Sequence, residues 1–222
     1  MSSADDARRL AGTGWLRERL PEDLALAPLA NAFEREHGSR LRRSEDETVA
    51  ELTPEAIAEV PEFEQLAAHL AGRVSELAPD VRLRKLWLVR TTAARSAVDS
   101  VPFVPHIDAA RYLKAMVYLD DVEPDSGPLT LASAPPEDFE AHRRGLRRGY
   151  KARGENRIDD AGLVYTPCTG PAGTLIWFDT NTPHHAGRIA DGGSRRVLRF
   201  DHEHPRWNRR SALARVWRRL IG

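Results

Sequence analysis

The pattern of apolar and polar positions changes near residue 81. Before it, apolar residues recur at helical spacing. "PEDLALAPLANAFEREHG" (21–38) has a broad apolar face, Pro21 as a first-turn residue and Gly38 as a stop. "TPEAIAEVPEFEQLAAHLAGRVSELAPD" (53–80) predicts further helix, opened by Thr53-Pro54 and interrupted or restarted at Pro61. Residues 1–80 therefore read mostly as helix and loop. After residue 81 the period shortens to two. "VRLRKLWLVRTT" (81–92) predicts a strand, with Val81, Leu83, Leu86 and Leu88 as its apolar positions. "LKAMVYLDDV" (113–122), "PLTLAS" (128–133), "GTLIWFDT" (173–180) and "RRVLRFDH" (195–202) predict four more. Shorter strands are expected at 101–106 and 162–166, and "PDSG" (124–127) is a turn.

Two segments fall off this pattern. Residues 136–160 form a basic helix and loop inserted between strands. Residues 206–222 form a C-terminal helix with a stripe of Leu213, Val216, Trp217 and Leu220. The strands follow the helices instead of alternating with them. That order argues against a parallel sheet and for a mainly β antiparallel sandwich or barrel with flanking helices. The 222 residues suit one domain: 1–80 helical, 81–205 the β core with its basic insert, 206–222 the terminal helix.

Composition narrows the setting. Lysine and arginine number 33, aspartate and glutamate 33, so the formal net charge is zero. All the basic residues but Lys85, Lys114 and Lys151 are arginine. Acidic residues balance them, which argues against a nucleic-acid partner. Cys168 is the lone cysteine, so no intrachain disulfide forms. No stretch has membrane-spanning length and "MSSADDARRL" has no signal-like apolar core, which makes the cytoplasm the simplest address.

The candidate chemistry starts at "VPHID". In a strand, residues i and i+2 share a face, so His106 and Asp108 can aim an imidazole and a carboxylate at one point. Those are two legs of a two-histidine, one-carboxylate facial triad, the arrangement of non-heme Fe(II) sites with open positions. Alone the triplet is weak, and two polar residues at a strand end are its bland alternative. "GTLIWFDTNTPHHAG" adds His184 and His185 just past an apolar strand, and Arg195 lies eleven residues after His184. If the two flanking strands pair as a hairpin, His184 and Arg195 face one cavity, where an arginine can grip a carboxylate in bidentate fashion. His185 with Arg196 is the same pattern shifted by one residue. Both pairs cannot face inward, because a one-residue slip reverses the faces.

The segments "HID", "LKAMVYLDDVEPDSGPLTL", "GPAGTLIWFDTNTPHHAG" and "SRRVLRF" together resemble the phytanoyl-CoA dioxygenase family of Fe(II)/2-oxoglutarate oxygenases, over about residues 85–202. The resemblance implies a double-stranded β-helix, or jelly-roll (cupin-like), core. It implies His106, Asp108 and His184 as iron ligands and Arg195 as the partner of the distal carboxylate of 2-oxoglutarate. Cosubstrate and O2 would be consumed with release of succinate and CO2, and an aliphatic C–H of a small or carrier-linked metabolite would be hydroxylated. Related iron halogenases lack the carboxylate that Asp108 supplies here, so hydroxylation, desaturation or ring closure is expected over halogenation. "LASAPP" stands where many members carry P-G-S-H, which implies a reshaped loop over the metal.

Several side readings accompany this one. Arg143, Arg144, Arg147, Arg148, Lys151 and Arg153 make the insert either a solvated face or a recognition element for an anionic substrate. Tyr118 or Lys114 lines the cosubstrate pocket or simply packs. Trp177 and Phe178 are expected in the core, His202 and His204 at the surface or against the terminal helix, and Arg90 is an inward candidate. The protein is expected to be a monomer or homodimer. A jelly-roll metal enzyme without 2-oxoglutarate, and a silent binding or sensor protein on the same fold, are the alternatives.

Overall fold

The structure is a computed structural model that describes residues 3–39, 42–43, 47–93, 99, 101–158 and 162–208. In chain order its helices are α1 (Ser3–Thr13), α2 (Leu26–Ser39), α3 (Pro54–Ala58), α4 (Pro61–Leu77) and α5 (Glu140–Gly145). The strands are β1 (Trp15–Arg19), β2 (Arg42–Arg43), β3 (Glu47–Leu52), β4 (Arg82–Thr92) and β5 (Leu113–Tyr118). Then follow β6 (Leu129–Ala132), β7 (Tyr165–Cys168), β8 (Thr174–Asp179), β9 (His184–Ala186) and β10 (Ser194–Glu203). A 3-10 turn, Pro136–Phe139, leads into α5.

The strands make two antiparallel sheets. One has seven strands in the order β1-β8-β5-β10-β4-β3-β2, the other three in the order β7-β6-β9. Alternation along the strands gives the larger sheet two different faces. Leu175 and Trp177 of β8, Ala115 and Val117 of β5, and Leu198 and Phe200 of β10 join one apolar cluster with Phe33, Phe63, Leu66 and Leu70 of the helices. Ile176, Phe178, Tyr118, Val197 and Val89 point the other way and cluster with Leu129, Leu131 and Cys168 of the smaller sheet. Two sheets packed face to face, with helices on the outer side, give the mainly antiparallel jelly-roll core that was expected.

Proline and capping chemistry fix the helices where the sequence suggests. The Thr53 side chain accepts a hydrogen bond from Ala56 N at the start of α3, and Pro61 restarts the chain as α4. The helical reading of residues 1–80 gives way at three strands, the two-residue β2 among them. "WLRER" is β1, paired with β8, and "ETVAEL" is β3, paired with β4. Sheet hydrogen bonding outweighs the helix preference of their Glu, Arg and Leu residues. The strand expected at 101–106 is instead a run of turns ending in an isolated bridge at His106. The C-terminal helix expected over 206–222 lies, from residue 209 onward, outside the described residues.

Candidate metal centre

His106 and His184 face each other across that bridge. His106 N donates to His184 O at 3.0 Å, and His184 N donates to His106 O at 2.9 Å. This double exchange extends the small sheet by one short strand-like segment beside β9. Asp108 N donates to Thr180 O at 3.2 Å, which places the carboxylate next to the imidazoles. One ligand atom from each of His106, Asp108 and His184 lies within 4.8 Å of the others.

Each ring is fixed by its second nitrogen. His106 Nδ1 donates to Val104 O and His184 Nδ1 donates to Thr182 O, both at 2.8 Å, so Nε2 keeps its lone pair. Thr182 is itself seated against the chain reversal at Gly14, which has φ +80° and where a Cβ would lie 2.0 Å from Thr182 Oγ1. Burial pushes the His184 imidazole down to about 3, helped by His106, and burial likewise lowers His106. Both rings are neutral at pH 7. Burial opposes ionisation of Asp108, but Lys114 and the two histidines outweigh it and hold its carboxyl well below the usual range. Lys114 Nζ lies 2.7 Å from Asp108 Oδ2. Two neutral imidazoles and one carboxylate, converging and mostly buried, fit a divalent first-row metal.

The triad opens into a cavity of about 150 Å³ that Lys114 and Arg195 also line. Arg195 is buried and donates through Nη1 to Gly127 O, while no described residue accepts from its Nε. Gly127 has φ +70°, and a Cβ there would lie 2.6 Å from Ile189, so glycine is needed to bring that carbonyl in. Beneath Arg195 lies Tyr118, with the guanidinium carbon 5.9 Å from its ring centre. The shifted pair goes elsewhere. Arg196 bonds Asp120 and Glu34, and neither it nor His185, whose ring is 5.7 Å from Tyr165, lines the cavity.

Other sequence expectations are redistributed. Phe178 is core, as expected, and also touches His184 edge-on at 5.3 Å, while Trp177 is buried among the helices. Arg90 pairs with Glu34 of α2 and does not line the cavity. His202 is buried, not superficial, with Nδ1 3.2 Å from Leu113 O, because alternation along β10 puts it on the same face as Leu198 and Phe200. The basic insert abuts the triad from outside: Ile107 N donates to Asn156 O and Ile158 N to Pro105 O, both at 3.0 Å. None of its arginines or its lysine lines the cavity. Arg143 is buried and paired with Glu140, and Arg153 is paired with Glu155. Sequence reasoning passed over Glu47 and Arg199, which do line it. Alternation along β10 was a usable signal for Arg199, since it shares a strand face with Arg195.

Fold and site together define a jelly-roll protein with a His-Asp-His metal-ligand cluster. The chain belongs to the phytanoyl-CoA dioxygenase family, whose model matches residues 16–197. Solved structures of similar fold include the non-heme alpha ketoglutarate dependent epimerase SnoN from nogalamycin biosynthesis. It is 20% identical, with a TM-score of 0.64, over 90% of this chain and 82% of that one. The carbocyclase SnoK, from the same biosynthesis, is 16% identical with a TM-score of 0.67 over 91% and 83%. HygX from Streptomyces hygroscopicus, solved with nickel and 2-oxoglutarate bound, is 18% identical with a TM-score of 0.59 over 93% and 88%. No curated protein matches the chain. Among the described residues no helix is long and apolar enough to cross a membrane.

Proposed function

We propose that this chain is an Fe(II)- and 2-oxoglutarate-dependent oxygenase that hydroxylates an aliphatic C–H of a small molecule. The observation that carries the reading is the shared cavity: a three-ligand metal cluster and a buried arginine with an unused Nε face the same space. His106, Asp108 and His184 would hold the iron, and Arg195 the distal carboxylate of 2-oxoglutarate. Iron with cosubstrate supplies activation of O2, one oxygen atom going to the substrate C–H and the other into succinate as CO2 leaves.

The protein's own residues bind, orient and exclude water. The backbone carbonyls of Val104 and Thr182 hold the two rings with Nε2 forward. Lys114 occupies Asp108 Oδ2 and orients the carboxylate, so Oδ1 would be the oxygen offered to the metal. Gly127 O orients the Arg195 fork toward the cavity. Val89, Met116, Phe178 and Val197 supply an apolar wall. Cys168, buried and free with its thiol pushed up to about 12 by burial, suits the reducing cytoplasm and takes no part.

The test is anaerobic titration of Fe(II) and 2-oxoglutarate while the visible spectrum is recorded. A weak charge-transfer band in the wild type, lost in His184→Ala, is the expected result. Iron bound without such a band would remove 2-oxoglutarate from the account.

A further inference from the structure

Arg195 has assigned work at one end of the cavity, and Lys114, in register with Asp201 on the neighbouring strand, has it at the other. Arg199 has none. It stands four residues along β10 from Arg195, on the same face, about 13 Å away at roughly 3.3 Å per residue. Its guanidinium carbon lies 5.2 Å from the centre of the Trp87 ring. Its Nε lies 3.4 Å from Asp201 Oδ1, close enough for charge attraction. Asp201 is anchored in turn by Trp87 Nε1, which donates to Oδ2 at 2.9 Å. The side chain is thus held from two sides, yet 26% of it remains exposed and it lines the cavity. No hydrogen bond from it reaches any described residue, and its Nε is fully buried.

A guanidinium is a fixed fork of five donors. One that is braced by an indole and a carboxylate, faces a partly apolar cavity and bonds no described acceptor is arranged for a ligand that brings its own. We propose that Arg199 anchors a second subsite of this cavity, which takes the oxyanion of a mainly aliphatic substrate. The proposal rests on the oxygenase reading in one respect only, the assignment of the Arg195 end to the cosubstrate. Val89, Met116 and Val197 line the space between the two arginines and suit a hydrocarbon chain. Arg199 is the one cation among the described lining residues without a hydrogen-bonded partner, so a singly charged carboxylate matches it better than the more highly charged phosphate monoester. Anion recognition thereby moves from the basic insert, which does not line the cavity, to the strand that carries the cosubstrate arginine.

The experiment is calorimetric titration of hexanoate, hexyl phosphate and neutral hexanamide into the full-length protein, with and without Ni(II) and 2-oxoglutarate. Hexanoate should bind at least tenfold tighter than hexanamide, with hexyl phosphate between them. Arg199→Gln should abolish that preference, Arg199→Lys should keep part of it, and both should bind 2-oxoglutarate as the wild type does. Arg199→Gln strands Asp201, so Arg199→Gln/Asp201→Asn is made alongside and must show the same loss while melting like the wild type. Equal binding of hexanoate and hexanamide by the wild type overturns the subsite. So does a preference that survives in the double variant, or a fall in 2-oxoglutarate affinity caused by Arg199→Gln. Hexyl phosphate binding tighter than hexanoate would overturn the carboxylate preference. Because anion preference is read in the metal-free protein too, failure of the cosubstrate reading leaves its own separate mark.

Discussion

On β10, Leu198 and Phe200 enter the helix-facing core, while Arg195, Val197 and Arg199 enter the cavity. On β5, Ala115 and Val117 go one way and Lys114, Met116 and Tyr118 the other. The same strands thus build an almost wholly apolar face and a face crowded with charge. The outer face is stabilised by area removed from water, which needs size and shape but no partners. The inner face tolerates charge because most of it is held: Lys114 on Asp108, Arg195 on Gly127, Arg199 between Trp87 and Asp201. Stability should therefore follow the outer face and ligand affinity the inner one.

The sharpest break of that division would be an outer-face change that alters binding. Phe200→Ala should cost about 3–5 kcal/mol in urea unfolding. The folded fraction should bind 2-oxoglutarate unchanged, and a loss of affinity would show the faces to be coupled.

Next in size is the acid limb of stability. Burial pushes His202 down to about 4, on the side of the sheet where its ring lies 6.1 Å from Trp177. An imidazole in the unfolded chain titrates near 6.5, so the unfolded state binds the proton more readily. Stability is then full above about pH 6.5 and falls as pH drops toward 4, by roughly 3 kcal/mol from this residue. His202→Gln should flatten that part of the melting-temperature curve in metal-free protein. The slope that remains includes the contributions of His106 and His184.

On the inner face, Arg195→Ala should weaken 2-oxoglutarate binding by about 100-fold, within the 2–5 kcal/mol typical of losing one partner of a buried charge pair. Melting should move far less than in Phe200→Ala. The smallest effect belongs to the neighbouring residue. Arg196 makes partly exposed pairs with Asp120 and Glu34, so Arg196→Ala should cost at most about 1 kcal/mol and leave cosubstrate affinity intact. The reverse ranking of the two arginines would shift the register by one residue.

Alternation made the central strands legible, because β4, β5, β8 and β10 are buried enough for apolar residues to dominate at least one face. It failed for β1 and β3, which lie toward the edges of the sheet and carry helix-forming charged residues at positions the core does not fill. The ligand cluster was visible as an H-x-D triplet and a later histidine. Choosing between His184 and His185 was not possible from spacing alone, since it depends on which one bridges to His106. The side on which His202 lies was legible by the same alternation, since it follows Leu198 and Phe200 at a spacing of two; its place at the end of the strand made it look superficial.

One phenol has a mechanical consequence. Tyr118 O–H donates to Cys168 O at 2.9 Å and accepts from Leu129 N at 3.1 Å, so a residue of the large sheet is bonded to two strands of the small one. Its ring acts as a spacer of fixed length directly under Arg195. That end of the roll cannot widen or narrow without breaking both bonds. Toward the Arg199 end the corresponding tie is the Lys114–Asp108 ion pair, carried on a flexible side chain, so that end yields to substitution more readily while the Arg195 end keeps its gauge.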